Sequence, residues 1–392
     1  MVYSDIGRRN FLQSVTGASA LALAGGMSSL FKAGDAQAAE SVNIDSMTTL
    51  LQELIYARGP VGQEDEVRVI CERELKKYCD KVWRDNGENV IGLLKGKSDK
   101  APAMRVIAHM DELSMIVKRV NGDGTLRVNN LGGMNPGNYG QGPVEILADS
   151  GIMPGVLSLG PMHTSAETPG AYASRTKAIG WEHVYVFTRM NAAELDRAGV
   201  HAGTRVVIAR ERRKLFPVGD CIGGYFMDDR ACIVITLASL AMMKAAKETP
   251  AGDVYIVMSA QEEIGAMGAA YAADKLPGDI TVAVDVGPAT SEYGTELTPE
   301  PIIVYGDATG VYSLPVSDRL LALAKELGMK PQTAVWTSYG SDASITKKYG
   351  TTGLSGLITI ATENTHGYEI IPKEGLTTCA KVLAAYMKAP VK

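Results

Sequence analysis

The sequence has no run of basic residues. Lysine and arginine number 39 against 44 aspartates and glutamates, for a net charge of -5. The electrostatic footprint of a nucleic-acid binder is therefore missing, and nothing draws the chain to anionic lipid. It also has no C-x-x-C pair. The five cysteines, Cys71, Cys79, Cys221, Cys232 and Cys379, are odd in number. Cys71 and Cys79 fall on one predicted helix, about 12 Å apart along its axis, which is beyond disulfide reach. Five free thiols are expected. There is no clean apolar run of about 18 residues that would span a bilayer, and no internal repeat. With 46% apolar and 21% charged residues over 392 positions, what remains is a globular protein with a substantial core. Its length suggests about two domains.

The N-terminus stands apart. Arg8-Arg9-Asn10-Phe11-Leu12 precedes a mild apolar stretch from Val15 to Gly26, and Ala36-Gln37-Ala38 follows. A charged start, a short apolar run and a small-residue A-x-A site make a signal peptide. Adjacent arginines followed by x-Phe-Leu resemble the twin-arginine export signal. Residues 1–39 are expected to be removed, and the mature protein to be periplasmic or otherwise exported, without stable membrane insertion.

Beyond that segment, Met47 to Ala57 and Glu64 to Tyr78 carry apolar residues at helical spacing. The Arg58-Gly59-Pro60-Val61-Gly62 break separates them. Val90–Leu94 and Met104–Ala108 read as strands. From Leu113 to Arg213 the texture changes: short strand-like runs such as Ser114–Val120, Val144–Leu147 and Arg205–Ala209 alternate with Gly, Pro and Asn turns. Close-spaced short strands predict a β-barrel or sandwich. From Asp229 long helices and buried strands alternate again, through Val254–Met258, Thr281–Val286 and Gly353–Ile360, to a closing helix at Lys373–Met387. The expected architecture is one α/β domain, residues 45–112 and 214–392, with helices on both sheet faces, interrupted by a β-rich insert over 113–213. The insert contains none of the chemistry-bearing motifs, so it is expected to serve something other than the metal site.

Five short motifs fall at predicted strand ends or helix starts, where open α/β sheets bind ligands. They are His109-Met110-Asp111-Glu112, Asp228-Asp229-Arg230, Gln261-Glu262-Glu263-Ile264-Gly265, Asp285 within Val282–Gly287, and His366-Gly367-Tyr368-Glu369. Each has an ordinary reading when taken alone. The paired aspartates, for example, suit a helix N-cap. Jointly they assemble two histidines and several acids, a donor set that suits zinc and can bridge two ions. The chain has only five histidines. His163, His183 and His201 lie in the insert and read as surface or packing residues.

The order of these motifs resembles the tetrahedral-aminopeptidase and glutamyl-aminopeptidase family of two-metal zinc exopeptidases (metallopeptidase family forty-two), some members of which were once labelled endoglucanases. Gly59-Pro60-Val61-Gly62-Gln63-Glu64, Gly340-Ser341-Asp342-Ala343 and the insert's Gly155-Val156 to Pro161-Met162-His163 add to the resemblance. It implies a three-layer zinc-exopeptidase-like domain with an inserted dimerisation domain. By position, His109 and Asp285 would hold one metal, Glu263 and His366 the other, and Asp228 would bridge them, with the Asp228–Asp229 peptide bond cis. Glu262 would be the general base, passing a proton from the attacking water to the leaving amine. Asp111 would orient His109. The cofactors implied are two divalent ions per subunit, zinc first, with cobalt or manganese as alternatives. The implied partners are peptide substrates and further copies of the chain, from dimer to dodecamer. Val61, Ser341 and Ala361-Thr362-Glu363-Asn364-Thr365 depart from the family pattern, which puts substrate preference in question but removes no ligand. Other readings are a different two-metal amidohydrolase (a dipeptidase or acyl-amino-acid deacylase) and a non-catalytic periplasmic binding protein. A glycosidase would leave the histidines idle.

Overall fold

The structure, a computed structural model, describes residues 42–391, so the predicted export signal lies outside the described residues. Strands β1 (Lys81–Arg84), β2 (Val90–Leu94) and β3 (Met104–His109) come first. β4 (Ser114–Val120), β5 (Leu126–Leu131), β6 (Gly142–Ala148), β7 (Gly151–Ser158), β8 (Tyr185–Phe187) and β9 (Arg205–Ile208) follow. They close into a barrel in the order β4-β5-β8-β7-β6-β9. After β10 (Phe216–Val218) and β11 (Cys221–Tyr225) come β12 (Val254–Ser259), β13 (Ile280–Pro288), β14 (Ile302–Asp307), β15 (Gly310–Val311), β16 (Gln332–Val335), β17 (Leu354–Thr362) and β18 (Tyr368–Pro372).

The main sheet runs β1-β2-β12-β3-β13-β17-β14-β15, with β16 beside β14. Its centre, β12-β3-β13-β17, is parallel, and β2 and β14 flank it antiparallel. These strands are near-continuous apolar runs because both faces are covered. Val106 and Ala108 of β3 and Ile256 and Met258 of β12 join the core formed with the helices Ile44–Tyr56, Met227–Ala245 and Lys373–Lys388. The alternate residues Ile107 and Val257 pack on Ala269 and Ala272 of the helix Met267–Lys275. The two-residue period of a strand produces this division. Because the four central strands are parallel, their C-terminal ends share one edge. His109 ends β3, Ser259 ends β12 just before Glu262, Asp285 sits near the end of β13, and β17 leads to His366. Among the described residues no helix is long and apolar enough to cross a membrane, and all five cysteines are free.

The barrel fills with its inward residues, Met115, Val128, Ile146, Leu157, Val186 and Val206, and this cluster continues into Tyr225 and Phe226 at the start of the buried helix. A buried ion group joins barrel to sheet. Glu112, just past β3, takes Arg213 Nη2 at 2.7 Å on one oxygen and Arg230 Nη2 at 2.8 Å on the other, and all three side chains have no exposure. Arg213, at the root of the barrel, also donates to the carbonyls of Ile208 at 2.8 Å and Ala57 at 3.2 Å. Its guanidinium lies 4.6 Å from the centre of the Phe226 ring.

Candidate metal centre

Asp228 organises the site. Its Oδ1 is 2.9 Å from His109 Nε2 and its Oδ2 is 3.5 Å from His366 Nε2. The backbone bringing it there is irregular: Phe226 is left-handed at φ 65°, the Asp228–Asp229 bond is cis, and Asp228 has ψ 104°, so the regular helix begins after the pair. Neither aspartate caps that helix. Asp229 Oδ2 instead accepts the His109 main-chain N–H at 2.8 Å. Potential ligand atoms form two groups, His109, Asp228, Asp229 and Asp285, and Asp228, Glu263 and His366, each within 4.8 Å of one another. The five residues assigned as ligands by resemblance thus come together, with Asp228 common to both groups. Asp229 joins them, a position that the sequence reading did not count among the ligands.

The charge pattern fits a divalent cation. Withdrawal from water and the neighbouring Asp228 charge push Glu263 and Asp285 up to about 8. Asp229 and Glu262 rise well above the carboxylate range for the same leading reason, burial. Partial burial works against the His366 imidazolium, but hydrogen bonding to Asp228 and the charge of Glu263 outweigh it and raise the ring to about 10. Glu263 Oε1 and Asp229 Oδ1 are buried without a hydrogen-bond partner. Crowded buried acids of this kind are costly unless a cation neutralises them, and imidazole with carboxylate is a borderline-hard donor set.

Below about pH 8 the protons on Glu263 and Asp285 must leave before a cation binds. Metal binding should therefore release protons, and affinity should fall as pH drops from 8 towards 6. Calorimetric titration in buffers of different ionisation heat checks this; heats independent of the buffer would contradict it.

Two carboxylates hold the site from behind. Asp111 Oδ1 lies 3.5 Å from His109 Nδ1. The Asp111 carboxylate also accepts the main-chain N–H groups of Glu262 at 2.9 Å and Glu263 at 3.1 Å. Besides facing His109, it thus fixes the turn that presents both glutamates. Glu369 accepts the main-chain N–H of Asp228 and that of His366, each at 3.0 Å. The only signal for Glu369 in the sequence was its spacing of three from His366. His163 and His201 are exposed, and His183 Nδ1 accepts the Gly180 N–H at 2.9 Å. All three stand outside the site.

The insert does reach the metal centre, contrary to the expectation that it serves something else. The turn leaving β5 brings the Gly133 carbonyl to 3.3 Å from His366 Nδ1, where it can accept that N–H and leave Nε2 facing Asp228. A Cβ at Gly133 would meet His366 Nδ1 at 2.6 Å, and one at Gly132 (φ +82°) would meet Glu263 Cβ at 2.9 Å. Only glycine lets the barrel backbone approach so closely. Gly133→Ala should displace the ring and weaken metal binding at the Glu263/His366 group about 10- to 100-fold. Cobalt titration followed by visible absorption, with His366→Ala as benchmark, checks this; a wild-type curve would contradict it.

The site opens into a cleft of about 540 Å³, a usual size for a ligand pocket. With this geometry in place, likeness to known proteins becomes decisive: residues 88–382 match the family described as M42 glutamyl aminopeptidase. The chain belongs to that family. Its class is the metallo-aminopeptidase hydrolases. The family match runs from before His109 to beyond His366 and so includes both ligand groups. Lysyl aminopeptidase of Pyrococcus furiosus is 30% identical over 241 residues, 60% of this chain; the chain spans 65% of that relative's length. Aminopeptidase APDkam598 of the archaeon Desulfurococcus kamchatkensis superposes with a TM-score of 0.79 at 25% identity, over 88% of this chain and 95% of that one. The TET1 peptidase of Pyrococcus horikoshii, described as assembling into a tetrahedron or a large octahedral shell, shares the fold with a TM-score of 0.76 at 22% identity, over 88% of this chain and 99% of that one.

Proposed function

We propose that this M42 protein is an exported aminopeptidase that removes N-terminal residues from peptides with two divalent metal ions, zinc by preference. The carrying observation is the Asp228 carboxylate, whose two oxygens face the histidines of two separate ligand groups. His109 and Asp285 would hold one ion, Glu263 and His366 the other, and Asp228 both. Bound there, the ions would supply Lewis-acid polarisation of the scissile carbonyl and acidification of water.

The rest is the work of the side chains. Glu262 stands beside the ligand Glu263 and lines the cleft. Its carboxylate takes the proton of the attacking water and returns it to the leaving amine. Asp111 holds the main-chain N–H of Glu262 and so keeps this carboxylate in place while it exchanges the proton.

Activity of the purified chain on a panel of aminoacyl fluorogenic substrates, before and after chelation and reloading with zinc, cobalt or manganese, tests the reading. Full activity in metal-free protein would overturn it. Export through Arg8 and Arg9 is part of the proposal: Arg8→Lys/Arg9→Lys should abolish periplasmic accumulation. So is self-assembly. The barrel exposes Ile152, Val156 and Phe187, an apolar surface suited to a second copy, and the fold neighbour above forms shells. Sedimentation of the mature protein as a monomer at all concentrations would remove that part.

A further inference from the structure

The cleft extends beyond the metal cluster to a wall that carries none of the proposed metal ligands. Eighteen residues line it, among them the carboxylates Asp228, Glu262, Glu263, Asp285 and Glu292, and no lysine or arginine. Three of these acids are the proposed ligands and Glu262 is the proposed base. Ionised, those four offset the charge of two divalent ions, and Glu292 is left uncompensated. It sits on the segment after β13, seven residues past Asp285, and is exposed at the cleft. The same wall carries Pro288, Tyr293 and Tyr339, with the hydroxyls of Thr290 and Ser338.

We propose that Glu292 is a specificity-determining residue that selects peptides whose N-terminal residue bears a long cationic side chain. This rests on the aminopeptidase reading above. A lysine or arginine side chain can lay its methylenes against the tyrosine rings while its charged end stays hydrated beside Glu292, so little desolvation opposes the pairing. A glutamyl or aspartyl side chain meets like charge there, with no lysine or arginine on the lining to offset it, which disfavours it. An aliphatic side chain gains the ring contacts alone.

The test is kcat/KM of the metal-loaded, full mature protein on lysyl, leucyl and glutamyl p-nitroanilides. The lysyl substrate should exceed the glutamyl one by about 100-fold, since changing the sign of a charge beside an exposed carboxylate shifts binding by roughly tenfold in each direction. Glu292→Gln should lower the lysyl-to-leucyl ratio about tenfold, and Glu292→Arg should bring the glutamyl substrate level with the lysyl one or above it. Metal content, measured for each variant, should match wild type. A wild-type preference for the glutamyl substrate, or a lysyl-to-glutamyl ratio within twofold of wild type in Glu292→Arg, would overturn the proposal. Failure to cleave any of the three would remove the aminopeptidase reading, and this inference with it.

Discussion

Glu262→Gln is expected to keep its metal and its fold while losing about 100- to 10,000-fold in turnover, the usual range when a general base is removed. The amide preserves the shape of the side chain. It also preserves the main-chain N–H that Asp111 holds at 2.9 Å, so Glu263 beside it should stay in place. What it cannot do is accept the proton. Single-turnover rates with metal content measured on the same sample separate the two roles: turnover should fall while metal stays. Near-normal turnover would remove the base assignment. Loss of metal would mean that Glu262 is a ligand instead.

The second large effect concerns stability. Glu112→Gln leaves the guanidiniums of Arg213 and Arg230 facing each other with no exposure and no counter-charge. Breaking one partner of such a buried group typically costs about 3–5 kcal/mol, whereas replacing the whole group by apolar side chains of similar volume costs little. Urea unfolding of the metal-free protein should show this loss for Glu112→Gln. The triple change Glu112→Met/Arg213→Met/Arg230→Met should recover most of it. Equal stability of Glu112→Gln and wild type would show that the group contributes nothing.

The central strands were legible because both sheet faces are covered, so Val254–Met258 and Thr281–Val286 stand out as apolar runs, and the motifs at their ends could be placed on one edge. The β-rich, barrel-like character of 113–213 was legible too, but not which strands pair to close it. Closure depends on pairings such as Met115 with Val206, and nothing in a local alternation specifies so distant a partner. β11 was missed because Cys-Ile-Gly-Gly-Tyr has two glycines in five residues and so little strand propensity. Its partner β18 begins within the histidine motif, at Tyr368, and ends in proline. The candidate ligands stood out through residue type and order, yet the supports were hidden. Gly132 and Gly133 look like any turn between strands, and Gly133 is 233 positions from the histidine it meets. Asp229 looked like a capping residue until the irregular backbone turned it towards His109.

The Glu112 group also bears on access to the cleft. A domain that overhangs a catalytic cleft often acts as a jaw, opening to admit substrate and closing for chemistry. Here the root of the barrel is locked by three charges that have no exposure and by main-chain carbonyls from both sides of the joint. Swinging the barrel outward would tear Arg213 from Glu112 inside an apolar interface. It would also pull the Gly133 carbonyl away from His366. Each opening would thus loosen a candidate metal ligand. Hinging the barrel away from the sheet would therefore break the buried charge group and the contact at His366 together.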